Sequence, residues 1–504
     1  MFKKRSQVVF VKLQIKLILA ILFFTPALFA ISLEQAVFHT LHTNPDIKEK
    51  VHALKVVENE KGIILSNYYP KLYISSGIGL AKQKTTPSYN EQSGDLVTRI
   101  DQSVVASMNL FNGFNTYHDY ESLKHRVNAT NSYLNEYKSV VSMQVVESYI
   151  TLIKQRAVLK ITKENVLSHQ EIYDKLKEYT ESGIGKGSDL KFASGRLTLA
   201  QVNAVVHENN FIQSKIVFES IFGGIIDVTK MQEPVFDYTL PQRLEDAAQE
   251  AFDYNPSIKL GKHNTKSAFS NYKRSQSTSY PSIDIELKKS WFNENGSYEY
   301  RVDGSHAMVY LKYNLFNGFA DEALQEVELS TYMQNNQLLN YTKRDVTKKL
   351  AIAWIASIKI EEQLKLLEKM RIDSKMTLED YYKEFLFGRR TLLDIINVKN
   401  DYNNARQSYV AAKYDLLLSK FRILDAMGGI LDYFLIKSDK MKLALDDSFV
   451  ESESVYDIIK YMNDKLQDKK EFISIDDINY TSLDNLMQER DSQDEFSNEL
   501  DFEN

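Results

Sequence analysis

Two groups of residues have types and spacing that invite a chemical interpretation. The segment from Gly183 to Asp189, Gly-Ile-Gly-Lys-Gly-Ser-Asp, combines glycines with a lysine and a serine, as phosphate-binding loops do. Its spacing fits neither known phosphate-loop pattern, and it follows a predicted helix where those loops follow a strand. We interpret it as a turn between two helices, with Gly183 ending the first and Ser188 capping the second.

His39 and His42 form the second group, since residues three apart share one face of a helix. No carboxylate-rich cluster or third close ligand accompanies them, so we expect no metal site. The sequence contains no cysteine, which excludes disulfide scaffolds, zinc fingers, iron–sulfur proteins and cysteine-nucleophile enzymes. No combination of nucleophile, base and orienting group stands out either. We therefore predict no catalytic residues, no cofactor and no enzymatic activity.

The composition indicates a folded protein whose charge is unevenly spread. Of 504 residues, 43% are apolar and 12% aromatic, which is too many for a disordered chain. The net charge is −6, yet residues 446–504 alone hold 18 acidic and 5 basic side chains. No basic stripe indicates a nucleic-acid partner.

The N-terminus carries a targeting pattern. Basic residues precede an apolar run from Leu17 to Ala30, which is shorter than the roughly 20 residues of a membrane-spanning helix. We interpret residues 1–30 as a cleaved signal peptide, with an uncleaved anchor as the alternative. No later stretch reaches 18 consecutive apolar residues, so we predict no transmembrane helix in the mature chain.

The chain repeats itself at a spacing near 210 residues. Leu-Glu-x-Ala followed by Asn-Pro occurs at 33–45 and again at 244–256, and Tyr-Pro occurs at 69–70 and 280–281, both at an offset of 211. Leu-Phe-Asn-Gly-Phe then occurs at 110–114 and 315–319, at an offset of 205. Ordered matches of this kind predict two structurally equivalent halves.

Each half contains two kinds of periodicity. Apolar residues alternate with polar ones at 72–80, 104–110, 283–288 and 307–315, which predicts strands of about ten residues joined by polar loops at about 81–100 and 292–304. Pro and Gly are absent from 115–180 and 320–384, which predicts two helices of roughly 65 residues and about 100 Å. Shorter helical stretches, at 33–67, 188–222, 245–278 and 392–428, are expected to lie alongside them.

Four alternating strands cannot close a barrel, and open strand edges are not tolerated in lipid. Bacterial barrels begin at eight strands, so the pattern requires at least a dimer, and a trimer would give twelve strands. A barrel continued by helices of about 100 Å would form a conduit.

The repeated motifs, in this order and spacing over residues 31–430, resemble the TolC family of outer-membrane channel proteins. The resemblance implies a mainly α fold in a homotrimer. Long antiparallel coiled-coil helices form a periplasmic α-barrel, continued by a transmembrane β-barrel with four strands per protomer. It also implies a location in the outer membrane, extending into the periplasm. The expected partners are outer-membrane lipid, a periplasmic adaptor (membrane fusion) protein, and an inner-membrane ABC or proton-driven transporter.

The domain organisation that follows has four parts. A signal peptide (1–30) precedes a first structural repeat (31–235), which contains a hairpin at about 71–111 and a tip turn at 183–189. A second repeat (236–436) contains a hairpin at about 282–316 and a tip turn at 388–394. An acidic C-terminal extension (437–504) is expected to be partly disordered.

The resemblance assigns a periplasmic gate to the two tip turns, which contain Gly183 and Gly388. By position, Arg390 matches a gating arginine, Asp189 and Ser188 match its partners across the turn, and Asp394 matches a constriction aspartate. Two further positions depart from the family pattern: Phe385 replaces a gating tyrosine, and Asn397 replaces a second aspartate. We expect a gate held mainly by Arg390 and a weakened cation preference. The alternative is that Asp189, Arg390 and Asp394 are ordinary helix-terminal charges.

The strand-to-helix junctions are the second predicted site. Gly113 and Gly318 would allow the bend, and Phe111 and Phe316 would suit the membrane interface. The predicted function is an outer-membrane exit duct, with type I protein secretion favoured over multidrug or small-molecule efflux. A passive porin and a periplasmic coiled-coil tether are the weaker alternatives, because a porin needs no long helices and a tether needs no hairpins.

Overall fold

The computed structural model describes residues 31–82, 96–295 and 299–441. All of these except 223–227 belong to one compact unit, and residues 223–227 belong to a second, in which Gly223 has a φ of +80°. The predicted signal peptide and most of the acidic extension lie outside the described residues.

The described chain is mainly helical, with one small antiparallel sheet, as predicted. The helices are α1 (Leu33–Thr43), α2 (Pro45–Leu65), α3 (Asn115–Glu181), α4 (Gly187–Phe222), α5 (Leu244–Tyr254), α6 (Pro256–Ser275), α7 (Ala320–Leu386), α8 (Leu392–Met427) and α9 (Ile430–Met441). The strands are β1 (Lys71–Lys82), β2 (Leu96–Asn112), β3 (Ser282–Asn295) and β4 (Glu299–Lys312). Short 3-10 turns lie at Ser66–Tyr68, Val228–Lys230 and Gln276–Ser279.

The two long helices, α3 and α7, have 67 residues each, so the predicted continuous helices are confirmed. At 1.5 Å per residue each is about 100 Å long. Helices α2 and α4 lie along α3, while α6 and α8 lie along α7. Among the described helices, none carries a run long and apolar enough to cross a lipid bilayer.

The two N-terminal helical stretches of the halves are each broken once. The break falls at Asn44 before Pro45, and again at Asn255 before Pro256. Proline has no N–H to continue the preceding helix, but it suits the first position of the next one. The side chain of Asn44 accepts hydrogen bonds from the N–H groups of Asp46 and Ile47, which caps the new helix.

The four strands form one sheet in the order β1-β2-β3-β4, with every neighbouring pair antiparallel. The strands are longer than predicted. The expectation of loops at 81–100 and 292–304 is wrong for residues 81–82, 96–100, 292–295 and 299–304, which lie in strands. Residues 313–315, predicted to be the end of the fourth strand, lie beyond β4. Apolar and polar side chains do not alternate strictly in the strand segments predicted as loops, but the backbone pairs with the neighbouring strand regardless. A bulge between Asn109 and Phe111 also interrupts the alternation in β2.

The two faces of the sheet differ in chemistry. On one face, Ile283 and Ile285 of β3 lie opposite Leu311 and Val309 of β4. The other face carries Asp284, which accepts a 2.7 Å hydrogen bond from Asn109 and lies 3.3 Å from the Lys312 Nζ. A cavity of about 500 Å³ opens on this polar face; its lining includes Lys71, Tyr73, Glu286 and Tyr310.

Burial is unequal between the equivalent long helices. Helix α3 packs against α1, α2, α4, α6, α8 and α9 and contains 24 buried residues. Helix α7 packs mainly against α5, α6 and α8 and contains only 5. Helix α3 is therefore enclosed by other helices of the chain, while α7 is largely uncovered.

Candidate functional site

The first tip turn joins α3 to α4 and is tightly folded. Gly183 has a φ of +77°, and the N–H groups of Ile184 and Gly185 both donate to the carbonyl oxygen of Tyr179. The prediction that Ser188 caps α4 is wrong, because α4 already begins at Gly187. The carbonyl oxygen of Lys186 accepts hydrogen bonds from the N–H groups of Asp189 and Leu190. Lys186, the residue before Gly187, is therefore at the cap position.

The side chains of Ser188 and Asp189 therefore lie in the first turn of α4. The Ser188 hydroxyl donates to the Asp189 carboxylate at 3.2 Å. A carboxylate in the first helical turn interacts favourably with the helix dipole. Both groups are polar acceptors at the surface of the tip.

The second tip turn joins α7 to α8. Gly388 has a φ of +69°, and Thr391 is the N-cap of α8. Thr391 and Asp394 form a capping box, in which the Asp394 carboxylate accepts from both the N–H and the hydroxyl of Thr391 at 2.9 Å. These hydrogen bonds hold the pKa of Asp394 below its ordinary value, so the carboxylate is ionised at neutral pH.

A shared apolar cluster supports both tips. Its buried members come from all four helices that meet there: Ile172, Leu176, Ala193, Leu378, Leu392, Ile395 and Ile396. Phe385, partly buried, packs against this cluster. A phenyl ring without a hydroxyl suits that contact because the neighbouring groups are apolar. Phe385 therefore helps to pack the apolar cluster below the tips.

Arg390 folds back over the end of α7. Its Nε donates to the Glu384 carboxylate at 2.7 Å, and its guanidinium carbon lies 4.1 Å from the centre of the Tyr381 ring. Among the described residues of one protomer, no hydrogen bond or ion pair joins Arg390 to Ser188 or Asp189. The predicted pairing across tips stays a prediction, and it would have to form between protomers.

Asn397 has a partner that the sequence did not indicate. Its side-chain oxygen accepts a 3.4 Å hydrogen bond from Arg196 of α4, whose guanidinium also lies 5.0 Å from the centre of the Phe192 ring. The pairing joins α4 to α8 just above the tips. An i, i+4 spacing of Phe192 and Arg196 on one helix was the available signal for the stacking contact.

Glu384 and Tyr381 were also absent from the predicted site. They lie six and nine residues before Arg390 in the chain, and a turn intervenes. No helical or strand periodicity relates positions across such a turn. Only the folded turn brings the three side chains together.

The strand-to-helix junctions repeat the same geometry in both halves. Gly113 and Gly318 have φ values of +66° and +59°, and the phenylalanine that follows each glycine has a φ of +65°. Phe111 meets Phe114 edge to face with ring centres 5.3 Å apart, and Phe316 meets Phe319 in the same way. Two successive left-handed residues turn the chain from the sheet into the long helix.

The surroundings of the two junctions differ. A Cβ on Gly113 would lie 2.4 Å from the carbonyl oxygen of Ser277, so only glycine fits. A Cβ on Gly318 would have open space around it within the protomer. The Phe114 ring also meets Tyr280, at 6.3 Å between ring centres, and is 54% exposed, against 69% for Phe319. Another segment of the chain therefore contacts the first junction closely at Gly113, and no described segment contacts Gly318.

The histidines of the early helix have local contacts. The ring of His39 lies 4.4 Å from that of Phe222, and the Nδ1 of His42 lies 2.8 Å from the carbonyl oxygen of Phe38. Within the described residues, no group of three or more acidic, histidine or cysteine side chains is placed to hold a metal ion.

Comparisons with known proteins agree with this architecture. The family model described as outer membrane efflux protein matches residues 247–429. Over 401 residues the chain is 19% identical to the outer membrane efflux protein BepC of Brucella suis biovar 1 (strain 1330), covering 79% of this chain and 85% of that protein.

Solved channel structures share the fold. CusC superposes with a TM-score of 0.70 at 15% identity, covering 79% of this chain and 92% of CusC. The CmeC outer membrane channel of Campylobacter jejuni superposes with a TM-score of 0.68 at 16% identity, covering 85% of this chain and 88% of that one. The resemblance predicted from the repeated motifs is confirmed by the family match and by this fold.

Proposed function

We propose that this TolC-family outer membrane efflux protein assembles as a homotrimer into the exit duct of a tripartite export system. In this role it passes substrate from an inner-membrane transporter, reached through a periplasmic adaptor, across the periplasm and the outer membrane. The observation that carries the proposal is that the two equivalent halves of the chain are covered unequally. A neighbouring copy supplies the missing cover.

Equivalent positions on the two long helices support this step. Ile150 and Ile153 on α3 are 1% and 0% exposed, whereas their counterparts 205 residues later on α7, Ile355 and Ile358, are 59% and 53% exposed. Repeated apolar positions are buried where a partner helix exists. The uncovered face of α7 is therefore expected to pack against a neighbouring protomer, as α3 packs within its own.

The sheet supports the same arrangement. Strands β1 and β4 form its two edges, and among the described strands neither has a second neighbour. An even number of antiparallel strands lets β4 of one protomer pair antiparallel with β1 of the next, which closes a ring. Three copies then give the twelve strands of a membrane barrel, with its apolar face toward lipid and its charged face toward the lumen.

Two substrate classes remain candidates within this function. The form of the Leu-Phe-Asn-Gly-Phe motif favours type I protein secretion by resemblance. The likeness to BepC, an outer membrane efflux protein, favours efflux instead. Deleting the gene distinguishes them, because loss of a secreted protein from the medium supports the first, and sensitivity to toxic small molecules supports the second.

The periplasmic gate belongs to the same proposal. Three copies of Arg390 face Ser188 and Asp189 of neighbouring protomers at the tips, and three copies of Asp394 line the axis. The ionised Asp394 carboxylates favour cations, while the neutral Asn397 adds no charge. Single-channel conductance of the purified trimer in a planar bilayer tests the gate.

We expect a small, cation-preferring current in the wild type that grows in both Arg390→Ala and Asp189→Ala. A wide current indifferent to both changes would contradict the gate but keep the pore. The absence of any conductance would contradict the duct and favour a tether.

A further inference from the structure

Among the described residues, the gate arginine donates a hydrogen bond through only one of its three nitrogens, as Arg99 and Arg243 also do. Two other arginines each place two nitrogens on one carboxylate: Arg371 on Glu368, and Arg422 on Glu147. Arg390 instead uses only its Nε on Glu384. Within the described residues of the protomer, no hydrogen bond occupies the two terminal nitrogens, Nη1 and Nη2, of Arg390.

The planar face of the guanidinium and its position at the end of α7 are also defined. The Tyr381 ring lies 4.1 Å from its central carbon, a distance typical of a cation–π contact. The side chain folds over the C-terminal turn of α7, where the helix carbonyls favour a cation. The Glu384 carboxylate is the main cause that raises the pKa of Arg390, which keeps the charge permanent.

The facing tip has the complementary chemistry. The position equivalent to Arg390 in the first repeat, 205 residues earlier, is Gly185, where a Cβ would lie 2.8 Å from the Thr180 nitrogen. The first tip therefore has no room for a side chain at that point. It presents the hydroxyl of Ser188 and the carboxylate of Asp189, both of which accept hydrogen bonds.

We propose that Glu384 and Tyr381 are positioning residues for the gate. They hold Arg390 by its Nε and by its ring-stacked face, so that Nη1 and Nη2 are directed to Ser188 and Asp189 of the neighbouring protomer. This inference rests on the proposed function, since it specifies how that gate is kept closed. A planar guanidinium can serve both partners at once because it carries five N–H donors, and those at the end away from Nε point to a different side.

The test is single-channel conductance of the full-length trimer for matched variants. Glu384→Gln keeps the shape and loses the charge, Tyr381→Leu loses the ring, and Tyr381→Phe keeps the ring without the hydroxyl. Asp380→Asn is the control, because it removes a charge from the same helical region and breaks the 2.8 Å pair with Lys383 instead. Heat dissociation of each trimer shows whether assembly is intact.

We expect Glu384→Gln and Tyr381→Leu to raise the open fraction by about two- to fivefold, the range that an exposed ion pair contributes. Tyr381→Phe and Asp380→Asn are expected to match the wild type. The double variant Glu384→Gln with Arg390→Ala should behave as Arg390→Ala alone, because Glu384 acts through the arginine.

Each alternative outcome contradicts a specific part of the proposal. If Arg390→Ala opens the channel while Glu384→Gln matches the control, the positioning role is wrong and the gate stands. If Glu384→Gln closes the channel further, Glu384 competes with the neighbouring tip for Arg390 and the positioning role is again wrong. If Arg390→Ala itself leaves the conductance unchanged, the gate of the proposed function has failed.

Discussion

The strand pairing between protomers follows from the pairing within one. Ser107 of β2 lies directly opposite Glu286 of β3. In the repeat, Ser107 is equivalent to Lys312 of β4 at an offset of 205, and Glu286 is equivalent to Ser75 of β1 at an offset of 211. The expected contact between protomers therefore places Lys312 directly opposite Ser75 of the next copy.

The faces of the two strands agree with this register. Ser75 lies opposite Ser103, and Lys312 lies beside Asp284, all on the polar face of the sheet. Residues that face each other directly across antiparallel strands must point to the same side, and a slip of one residue would place them on opposite sides. The register is thus consistent with the side-chain pattern.

The double variant Lys312→Cys with Ser75→Cys tests this register, and the absence of native cysteine makes the result unambiguous. Directly opposed residues have Cα atoms about 4.5–5.5 Å apart, inside the range of about 4.4–6.8 Å that a disulfide spans. A slip of two residues adds about 6.7 Å along the strand and brings the separation to roughly 8 Å, which a disulfide does not bridge. Mild oxidation should therefore yield covalent dimers and trimers.

Non-reducing electrophoresis of the oxidised outer-membrane fraction is the assay. The controls are each single-cysteine variant and the mismatched pair Lys312→Cys with Ser76→Cys, whose side chains point to opposite faces. Cross-linking of the mismatched pair but not of the matched pair would refute the register. An intact trimer in which the matched pair stays reduced under oxidant would refute the pairing of β4 with β1.

Three further changes have defined outcomes. Gly113→Ala should prevent the protomer from folding, because its Cβ would meet a backbone oxygen at 2.4 Å. Gly318→Ala has space for its Cβ, so it should cost only about 1 kcal/mol of backbone strain and mainly weaken the trimer in heat-dissociation assays. Ile150→Ala should lower the free energy of unfolding of the protomer by about 2–5 kcal/mol, while Ile355→Ala should leave the protomer stable and lower only trimer stability. Equal losses of protomer stability in denaturant melts of the two variants would contradict the unequal burial of the two helices. Burial lowers the pKa of His169, which is 1% exposed, so stability should be complete above its unfolded pKa of about 6.5 and fall as pH drops below it, by up to about 1.4 kcal/mol per pH unit. Thermal melts of His169→Gln should lack that slope, and an unchanged slope would assign it to other groups.

Local patterns in the sequence predicted the repeated elements well. The absence of Pro and Gly predicted both long helices to within two residues, because helix continuity depends on the residues of the helix itself. Alternation predicted the four strands, because the pleat of a strand turns successive side chains to opposite faces. The strand ends were missed because strand length depends on pairing with a neighbour, which residues without strict alternation, such as those at 96–100, can also make.

The sequence by itself determined the duplication, the two element types and the glycine positions where the chain must bend. Tertiary structure alone decided which half is enclosed, since Gly113 and Gly318 stand in identical motifs and differ only in what lies beside them. It likewise decided that Arg390 rests on Glu384 and Tyr381, because a turn of unknown course separates them in the chain. Local sequence preferences determine the helices and strands. The partners of a side chain depend on packing between residues far apart in the chain, which the periodicity of the sequence does not indicate.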